Sequence, residues 1–437
     1  MATISPSSDY GPTTARTEAP ALPKATVRDP RLDFFRGIAM FIILLAHTPG
    51  NLWTRWIPAR WGFSDATEMF VFCSGMASAI AFGKLFQTQG LGMGSARIAF
   101  RTWQVYWAHI GLFIITTATL LALPHLGFEL RDYTGQLNLK PFLNNIEGNL
   151  VGLMTLTYVP NYFDILPMYM VILLMIPVVM ALAKIHPYVA LGACLVLWGF
   201  ANMEIGELFT DEDITPLQLP AQYWFAEGQN TRPWFFNPFG WQLCFFTGFA
   251  LMIGWIPRPP VNKWLVGLAL AFVLFSFVFS AVGVRSFSWQ SEWWDDNIRS
   301  WQRQTFRDMA PLRGKTDFGI FRYLHMLSLG YLAWALVGEG GKYLKVGRVW
   351  NWLVKNIIMK VGQQSLAVFV FSMLLARLLG VWLDETSTLV NDRFVRDPWI
   401  NTFVNLVGFA LLVLCAYVAG WFKSSPWKPK RGAGGQA

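Results

Sequence analysis

Residues 31–51 read RLDFFRGIAMFIILLAHTPGN, an apolar run long enough to cross a bilayer as a helix but interrupted by Arg36 and His47. Ionisable side chains inside a membrane helix carry a large desolvation cost, so their presence there points to function. Eleven positions separate Arg36 from His47, about three helical turns, which places both side chains on one face about 16 Å apart. This pattern suits a ligand with an anionic head at Arg36 and a reactive end at His47.

The composition of the whole chain is that of an integral membrane protein. Of its 437 residues, 54% are hydrophobic and only 14% are charged, whereas an ordinary globular chain has about 25% charged residues. So few charges cannot cover a soluble body of this size, and the same composition excludes a disordered or collagen-like chain. The four cysteines are scattered through apolar runs, so neither a disulfide framework nor a metal site is predicted.

The hydropathy pattern predicts an all-α polytopic membrane protein. The Pro-, Thr- and Ser-rich segment 1–27 is predicted to be a disordered cytoplasmic tail, 28–423 the membrane domain and 424–437 a basic cytoplasmic tail. Within the membrane domain we predict about ten transmembrane helices. They lie at 33–51, 65–85, 99–123, 163–184, 187–203, 238–256, 262–284, 319–338, 361–383 and 400–422.

Lysine and arginine predict the orientation of this bundle. With ten spans both termini share one side, and that side carries 20 of the 35 basic residues but only 5 of the 26 acidic ones. Because basic residues are enriched in cytoplasmic loops, both termini are predicted to be cytoplasmic. The net charge of +9 is thereby attributed to topology in a lipid bilayer, and we expect no nucleic-acid partner.

Two carboxylates at the start of the second span are predicted to lie at the membrane depth of His47. Asp65 and Glu68 have the spacing of a capping box, which is a structural role. A carboxylate beside an imidazole also fixes its tautomer and raises its basicity. Either residue is therefore a candidate catalytic partner that orients His47. The Ser74-Gly75 pair farther along the span allows close helix packing.

Basic residues gather at the predicted cytoplasmic entrance. Arg97 and Arg101 lie one turn apart at the start of the third span, and together with Arg36 they have the chemistry to clamp phosphates. The alternative for Arg97 and Arg101 is ordinary positive-inside charge. The alternative for Arg36 is a snorkelling side chain paired with Asp33. The alternative for His47 is an interfacial histidine that bonds Thr48 or a carbonyl group.

Further polar residues are predicted to line the far-side mouth of the bundle and to bind the acceptor. Each opens a span or lies within one, where a polar side chain is expected to face the bundle interior. The candidates are His109, Asp164, Asn237, Arg322 and His325. For His109, a hydrogen-bonded core histidine is a simpler interpretation than a catalytic one.

The far-side loop at 285–318 is rich in tryptophan and arginine. Trp289, Trp293, Trp294 and Trp301 lie close together there. Tryptophan rings form interfacial belts in a bilayer, and they also pack on the faces of sugar rings. The sequence is compatible with both roles.

Together these residues resemble the membrane-bound acyltransferase-3 superfamily, and most closely its OpgC branch. The first helix of the superfamily carries an Arg, ten residues and a His, matched here by Arg36 and His47. Resemblance to the OpgC branch extends from about residue 28 to 420 and rests on five further motifs. They are His47-Thr-Pro-Gly-Asn51, Phe63-Ser-Asp-Ala-Thr-Glu-Met-Phe70, Asp164-Ile-Leu-Pro-Met-Tyr169, Asn237-Pro-Phe-Gly-Trp241 and Gly362-Gln-Gln-Ser365.

The resemblance implies a ten-helix enzyme of the bacterial inner membrane that uses cytoplasmic acyl-CoA. The expected donor is succinyl-CoA, the expected acceptor is a periplasmic glucan, and no metal is expected. Catalysis is assigned by resemblance to His47, acting either as a general base or as a carrier of the acyl group. Cofactor binding is assigned to Arg36, with Arg97, Arg101 and Ser74 expected to contribute.

Two features depart from the family pattern, one a residue type and the other a spacing. Cys73 replaces the usual aliphatic residue before Ser74-Gly75, and Arg97 and Arg101 are spaced RxxxR where many members have RxxR. The reaction also needs an oxyanion donor, for which Ser74, His109 or a backbone amide are candidates.

Two other functions share much of this evidence. An O-acetyltransferase that modifies another surface glycan would need the same catalytic and donor-binding residues. A transporter or flippase for the acyl group or the glycan would instead move its cargo without forming an ester. Transfer from succinyl-CoA or acetyl-CoA by the purified protein distinguishes these possibilities.

Overall fold

The computed structural model describes residues 29–203, 216–221, 232–286, 291–391 and 393–427, which are mostly helical. The predicted tail at 1–27 and most of the predicted tail at 424–437 lie outside these ranges. Over the described ranges, a helix coincides with each of the ten predicted spans. These helices are α1 (Pro30–His47), α2 (Ala66–Ser78), α3 (Lys84–His125), α4 (Ile165–Ala183), α5 (Pro187–Ala201), α6 (Pro238–Ile253), α7 (Lys263–Val278), α8 (Ile320–Val337), α9 (Ser365–Glu385) and α10 (Pro398–Lys423).

Length and composition mark several of these helices as membrane-spanning. Among the described residues, five helical segments are long and apolar enough to cross a membrane: Ala66–His125, which contains α2 and α3, and the helices α4, α8, α9 and α10. The apolar helices α5, α6 and α7 are shorter. Helix α1 carries Arg31, Asp33 and Arg36 in its first two turns. The prediction of a mostly helical membrane protein is therefore confirmed.

Short elements connect the long helices. An antiparallel hairpin of β1 (Thr388–Val390) and β2 (Arg393–Val395) joins α9 to α10, with Thr388 paired to Val395. Several other connections contain short helical segments. These are Leu52–Arg55, Pro58–Arg60, Ala79–Gly83, Gly135–Leu137, Lys140–Asn144, Ile146–Thr155, Ala281–Ser286, Glu292–Trp294, Asp295–Arg299, Ser300–Asp308, Ala310–Arg313, Glu339–Lys345, Arg348–Leu353, Val354–Ile358 and Met359–Gln363.

The connection between the second and third predicted spans differs from the loop expected at 86–98. Helical structure continues through these residues and is broken only at Gly90, whose φ of 79° is left-handed. Glycine adopts this conformation without the steric cost that a Cβ imposes. The neighbouring Lys, Leu, Phe and Gln residues do not oppose helix formation, so one glycine replaces the expected loop.

Glycines bring α2 into direct contact with α6. A Cβ added at Gly75 would overlap the carbonyl oxygen of Phe245, and a Cβ added at Gly248 would overlap that of Phe72. Such contact between main chains is typical of small residues at membrane helix interfaces. The packing role expected for the Ser74-Gly75 pair is thus seen at Gly75.

Helix α1 runs beside α9 in the same direction. A Cβ at Gly37 would overlap the main chain just before α9, and a Cβ at Gly380, late in α9, would overlap the ring of Pro49. The two helices are therefore in register from the start of α1 to the turn after it. We refer to the two ends of this pair as the Arg36 end and the His47 end.

Candidate active site

A cavity of about 550 Å³ opens at the Arg36 end. Its wall contains Arg36, Arg97 and Arg101, together with Lys423 from the end of α10. Among the described residues that line it there is no Asp or Glu, so the lining carries an excess of positive charge. The three arginines predicted to bind the donor therefore face one space, which we call the Arg36 cavity. Its other polar side chains are Ser78, Gln104, Gln363, Gln364 and Ser365.

Arg36 is positioned by the residues that begin α9. Its Nη2 donates a hydrogen bond to Ser365 Oγ. One turn earlier in α1, Asp33 Oδ2 accepts a hydrogen bond of 3.3 Å from Gln363 Nε2. The Gly362-Gln-Gln-Ser365 motif thus holds the first turns of α1, and Arg36 lines a cavity within the bundle. This placement favours the binding role over that of a snorkelling side chain.

A second cavity, of about 260 Å³, lies at the His47 end. We call it the His47 cavity. Its polar wall combines His47 with Asp164 and Lys315, so it mixes groups of both signs, unlike the Arg36 cavity. The other residues that line it are Ile43, Thr67, Asn161, Tyr162, Ile165, Phe235, Phe236, Phe369 and Met373.

The two cavities follow each other along the same helices. On α9, Leu366 lines the Arg36 cavity and Phe369 lines the His47 cavity. On α4, Tyr169 lines the Arg36 cavity and Ile165 lines the His47 cavity. Residues three or four apart lie one turn apart on one helix face. The cavities are therefore separated by about one helical turn of side chains.

His47 is oriented by its own helix and not by a carboxylate. Its Nδ1 lies 2.8 Å from the carbonyl oxygen of Ile43. A carbonyl oxygen only accepts hydrogen bonds, so in the neutral ring Nδ1 carries the proton and Nε2 keeps the lone pair. The expectation that Asp65 or Glu68 bonds the imidazole is not met in this structure. A main-chain carbonyl fixes the tautomer that leaves Nε2 basic.

Asp65 and Glu68 instead belong to a group of four paired charges, which we call the ion-pair cluster. Glu68 is fully buried and accepts a hydrogen bond of 2.6 Å from Arg322 Nε. Asp65 accepts one of 2.6 Å from Lys315 Nζ, and Arg322 Nη2 lies 3.6 Å from it. The capping box is also present, with Glu68 Oε2 2.8 Å from the Asp65 backbone N–H. Arg322 thus forms an ion pair with Glu68 and is not among the described residues that line the His47 cavity.

Tyr162 contacts both His47 and helix α9. Its ring packs edge-on to the His47 ring, with 5.4 Å between the centroids. Its hydroxyl donates to the Met373 carbonyl oxygen. The backbone of Tyr162 has a φ of 89°, a left-handed value that is rare for a residue with a Cβ. Strained conformations of this kind are retained where function requires a side chain in a fixed place.

Asp164 is the one of the five predicted acceptor residues that is among the described residues lining the His47 cavity. It is only 3% exposed and lines the His47 cavity. Its Oδ1 has no hydrogen-bond partner among the described residues, and its side chain does not cap α4. A buried carboxylate oxygen without a donor is costly unless a ligand or water supplies one. The carboxylate is therefore available to accept a hydrogen bond from a hydroxyl in the cavity.

Two other predicted acceptor residues have structural partners instead. The Asn237 side chain donates to Leu217 O at 2.7 Å and to Asp317 Oδ1 at 2.6 Å. The Nδ1 of His325 accepts from the Ser64 backbone N–H at 3.1 Å. Both residues tie distant loops together, and neither is among the described residues that line the His47 cavity.

His109 and Ser74 also lie away from the two cavities. His109 is fully buried in α3, with no hydrogen-bond partner for either ring nitrogen among the described residues, so the simpler interpretation of a hydrogen-bonded core histidine is not met either. Ser74 is buried in α2, and the hydroxyl that reaches the Arg36 cavity is that of Ser78, one turn later. Ser78 thus takes the place expected of Ser74 on the donor side.

Lys315 and Tyr162 line the His47 cavity but were not predicted from the sequence. Tyr162 lies two residues before Asp164, so extending that motif towards the N-terminus would have included it. Lys315 lies in the far-side loop at 285–318, where it follows several arginines. Nothing in its local sequence indicates that it reaches Asp65, 250 residues earlier.

The tryptophans of that loop fit the simpler of their two interpretations. Trp293 and Trp301 are exposed, and Trp301 packs edge-on to Phe279. Neither is among the described residues around the His47 cavity. Trp289 lies outside the described residues. Exposed rings at the end of a membrane helix are typical of an interfacial belt.

Comparison with known families identifies the chain. A family model described as "OpgC protein" matches residues 28–424, nearly the whole sequence, and the chain belongs to this family. No curated protein and no solved structure matches it. Membership implies an acyltransferase-type role in glucan modification. The motifs that suggested this branch supply both cavities: Arg36 and Ser365 at one end, His47 and Asp164 at the other.

Proposed function

We propose that this chain is a multi-pass enzyme of the bacterial inner membrane that transfers an acyl group, succinyl or a closely related one, from cytoplasmic acyl-CoA to hydroxyl groups of a periplasmic glucan. Family membership supports acyl transfer and glucan modification as the class of reaction. The two cavities support the nature of the donor and the direction of transfer.

The observation that carries this proposal is that one helix connects two chemically different cavities. The Arg36 cavity is basic, and the His47 cavity contains an imidazole with a free basic nitrogen beside a carboxylate. The residues that mark them are about 16 Å apart on α1. A donor with an anionic head, a long arm and a reactive thioester at its tip matches this arrangement. Acyl-CoA has that form.

We further propose that ten helices span the membrane and that both termini are cytoplasmic. Arg36 near the start of the described chain and Lys423 near its end line the same cavity, as a shared side for both termini requires. Arg97 and Arg101 join them there. Basic residues concentrate on the cytoplasmic side of membrane proteins, which makes the Arg36 end the cytoplasmic one. The His47 end then faces the periplasm.

The arginines of the Arg36 cavity bind the phosphates of the donor. Guanidinium groups form paired, charge-assisted hydrogen bonds with phosphate oxygens. Arg36 is the most firmly positioned of the three because Ser365 holds its guanidinium. Arg97 is exposed, and Arg101 bonds Gln104 at 3.1 Å. Arg97 and Arg101 attract the phosphates of the donor to the opening of the Arg36 cavity. Arg36 then determines how far into the cavity the phosphates bind.

His47 acts as a general base in the transfer step. Its Nε2 takes the proton of a glucan hydroxyl while that oxygen attacks the thioester carbonyl carbon. The C–S bond then breaks, the proton passes from Nε2 to the departing thiolate, and the glucan ester and free CoA leave. The hydrogen bond from Nδ1 to Ile43 O keeps the ring in one orientation through both proton transfers.

Asp164 and Lys315 assist at the two other charged points of the reaction. The Asp164 carboxylate accepts a hydrogen bond from a second sugar hydroxyl and so orients the acceptor. The Lys315 ammonium, held by Asp65, places a fixed positive charge on the wall of the cavity. Such a charge stabilises the negative oxygen that develops on the carbonyl during attack.

The test of this function is acyl transfer by the purified protein in detergent, with succinyl-CoA and acetyl-CoA supplied in parallel and glucan as acceptor. We expect ester formation from succinyl-CoA. In His47→Ala the rate falls by about 100- to 10,000-fold, because a general base contributes a factor of that size. Acyl-CoA affinity stays near the wild-type value, since the phosphates bind at the other end.

Each alternative outcome of this assay has a definite meaning. Near wild-type transfer by His47→Ala overturns the role of His47. Exclusive use of acetyl-CoA identifies an O-acetyltransferase. If no ester forms in detergent, and the same protein reconstituted into vesicles transports acyl groups or glucan, it is a transporter. An acyl group found on His47 by mass spectrometry after rapid quenching replaces the general-base route with a covalent one.

A further inference from the structure

Beside the two cavities, the His47 end holds three arginines around one carboxylate. Asp384, near the end of α9, is 1% exposed and accepts a hydrogen bond from Arg396 Nη2. Its second carboxylate oxygen lies 3.4 Å from Arg131 Nε. Arg377, two turns earlier on the same helix, is also buried. We call Arg131, Arg377 and Arg396 the arginine cluster. They come from three separate segments of the chain.

The charges at this place favour one more anion. Among the described residues, Arg131 and Arg396 share the single carboxylate of Asp384, and the Arg396 side chain is largely buried whereas that of Arg131 is about one-third exposed. The next acidic residue along α9, Glu385, is exposed. An excess of buried charge is costly unless an opposite charge joins it. The cluster therefore has the electrostatics of an anion-binding site rather than of a balanced ion pair.

A buried hydroxyl independently points to a ligand. Tyr133 is 4% exposed, and its Oη has no hydrogen-bond partner among the described residues. Burial, together with the charges of Asp384 and Glu385, raises the pKa of Tyr133 to about 12. The phenol is thus protonated at neutral pH and able to donate. Arg396 Nε is likewise buried without a partner in the described chain. Both groups can donate to an acceptor oxygen of a ligand, and Asp384 Oδ2 is also buried without a hydrogen bond among the described residues.

Two contacts connect the arginine cluster to the reacting end of the site. Arg377 Cζ lies 5.6 Å from the centre of the Tyr162 ring, and that ring packs against His47. The guanidinium of Arg396 occupies the space that a side chain at Gly50 would fill, three residues after His47. Gly50 has a φ of 69°, which also favours glycine there. The cluster thus adjoins the His47 cavity.

We propose that the arginine cluster and Tyr133 form a subsite for a carboxylate that one of the two substrates carries close to the reacting atoms. This rests on the proposed acyl transfer. A dicarboxylic acyl group carries such a carboxylate at the end remote from the thioester, and an acidic substituent on the acceptor is the other source. Guanidinium groups match carboxylates in geometry, and the phenol adds a donor. The subsite selects carboxylate-bearing substrates over plain ones.

Binding of free succinate tests the subsite without relying on transfer. Tyr133→Phe removes only a hydroxyl that has no hydrogen-bond partner among the described residues, and Arg396→Gln removes one charge of the cluster. Arg307→Gln is the matched control, since Arg307 is an exposed arginine of the far-side loop at 285–318. We expect succinate to raise the thermal unfolding midpoint of wild type and control more than acetate does. In Tyr133→Phe and Arg396→Gln the apparent succinate affinity falls by about tenfold or more.

Turnover identifies the source of the carboxylate. A rise in KM for succinyl-CoA in Tyr133→Phe, with KM for acetyl-CoA unchanged, assigns it to the donor. A rise in KM for an acidic glucan with either donor assigns it to the acceptor. The proposal is overturned if both variants bind succinate and use every substrate as wild type does, or lose all substrates equally. If wild type transfers no acyl group while the variants still lose succinate binding, the proposed function fails and the subsite stands.

Discussion

The Arg36 cavity and the ion-pair cluster are both rich in charge, but their charges are arranged in opposite ways. In the Arg36 cavity the described lining has four basic residues and no acidic one. In the ion-pair cluster, two carboxylates and two cations neutralise one another, and Glu68 is fully buried among them. The first arrangement has no acidic partner in its described lining and so suits an anionic ligand, whereas the second pairs its charges within the protein, although Lys315 also lines the His47 cavity.

This difference predicts which property each charge supports. Removing a member of a buried ion pair leaves its partner charged and without compensation, so folding stability falls. Removing a cation from a lining of one sign relieves repulsion in the empty protein and weakens binding of an anion. Stability and donor affinity are therefore expected to respond to different residues.

The largest effect is expected from Arg322→Gln. This change leaves Glu68 buried beside a neutral side chain, and breaking a buried pair in this way destabilises a protein by about 3–5 kcal/mol. We expect a large fall in the thermal unfolding midpoint in detergent. The double variant Glu68→Gln/Arg322→Gln is the control, because it replaces the pair with two neutral groups and should recover part of the loss. Wild-type stability of Arg322→Gln would contradict the distinction.

A smaller effect, on binding, is expected from Arg36→Gln. Hydrogen bonds to charged groups contribute about 1.5–3 kcal/mol each, so KM for acyl-CoA should rise by about 10- to 100-fold. The thermal unfolding midpoint should fall much less than in Arg322→Gln. Initial rates of the purified variant over a series of acyl-CoA concentrations give KM, and a melting curve gives the thermal unfolding midpoint. A variant that melts early but binds the donor normally would place Arg36 with the ion-pair cluster.

The smallest effect is expected at the outer edge of the Arg36 cavity. Arg97 is exposed and Arg101 partly so, and solvent and salt screen the interactions of such groups. Arg97→Gln and Arg101→Gln should each raise KM for acyl-CoA by a few-fold at low ionic strength, and by less at high salt. Measuring KM across a salt series checks this. An effect as large as that of Arg36→Gln and insensitive to salt would mean that these arginines bind the donor directly at depth.

The sequence predicted the parts of the site that depend on one helix. The spacing from Arg36 to His47 gave their common face, and both line cavities. The positive-inside pattern predicted that Arg97 and Arg101 lie at the Arg36 end. These predictions hold because helical geometry is set locally. Hydropathy likewise predicted where long helices lie, since a described helix coincides with each predicted span, but it did not predict that a break at Gly90 replaces the loop expected at 86–98.

Contacts between distant segments were not predictable in this way. Asp164, Asn237, Arg322 and His325 look equivalent along the chain, since each lies at or near the far-side start of a span. Only Asp164 faces the His47 cavity. Arg322 bonds a carboxylate 254 positions away, and Asn237 bonds one 80 positions away. Which polar side chain finds a protein partner depends on how helices pack, and spacing within one helix carries no information about that.

The close packing of α1 against the chain leading into α9 fixes the position of α1 along its axis. With Gly37 pressed against main chain at one end and Pro49 against Gly380 at the other, the helix cannot slide to suit ligands of different length. Under the proposed function, the fixed separation of Arg36 from His47 would select donors of matching length, and binding of the phosphates would hold the thioester at the imidazole. A donor shortened in its arm, but with the same acyl group and phosphates, should bind and yet turn over poorly.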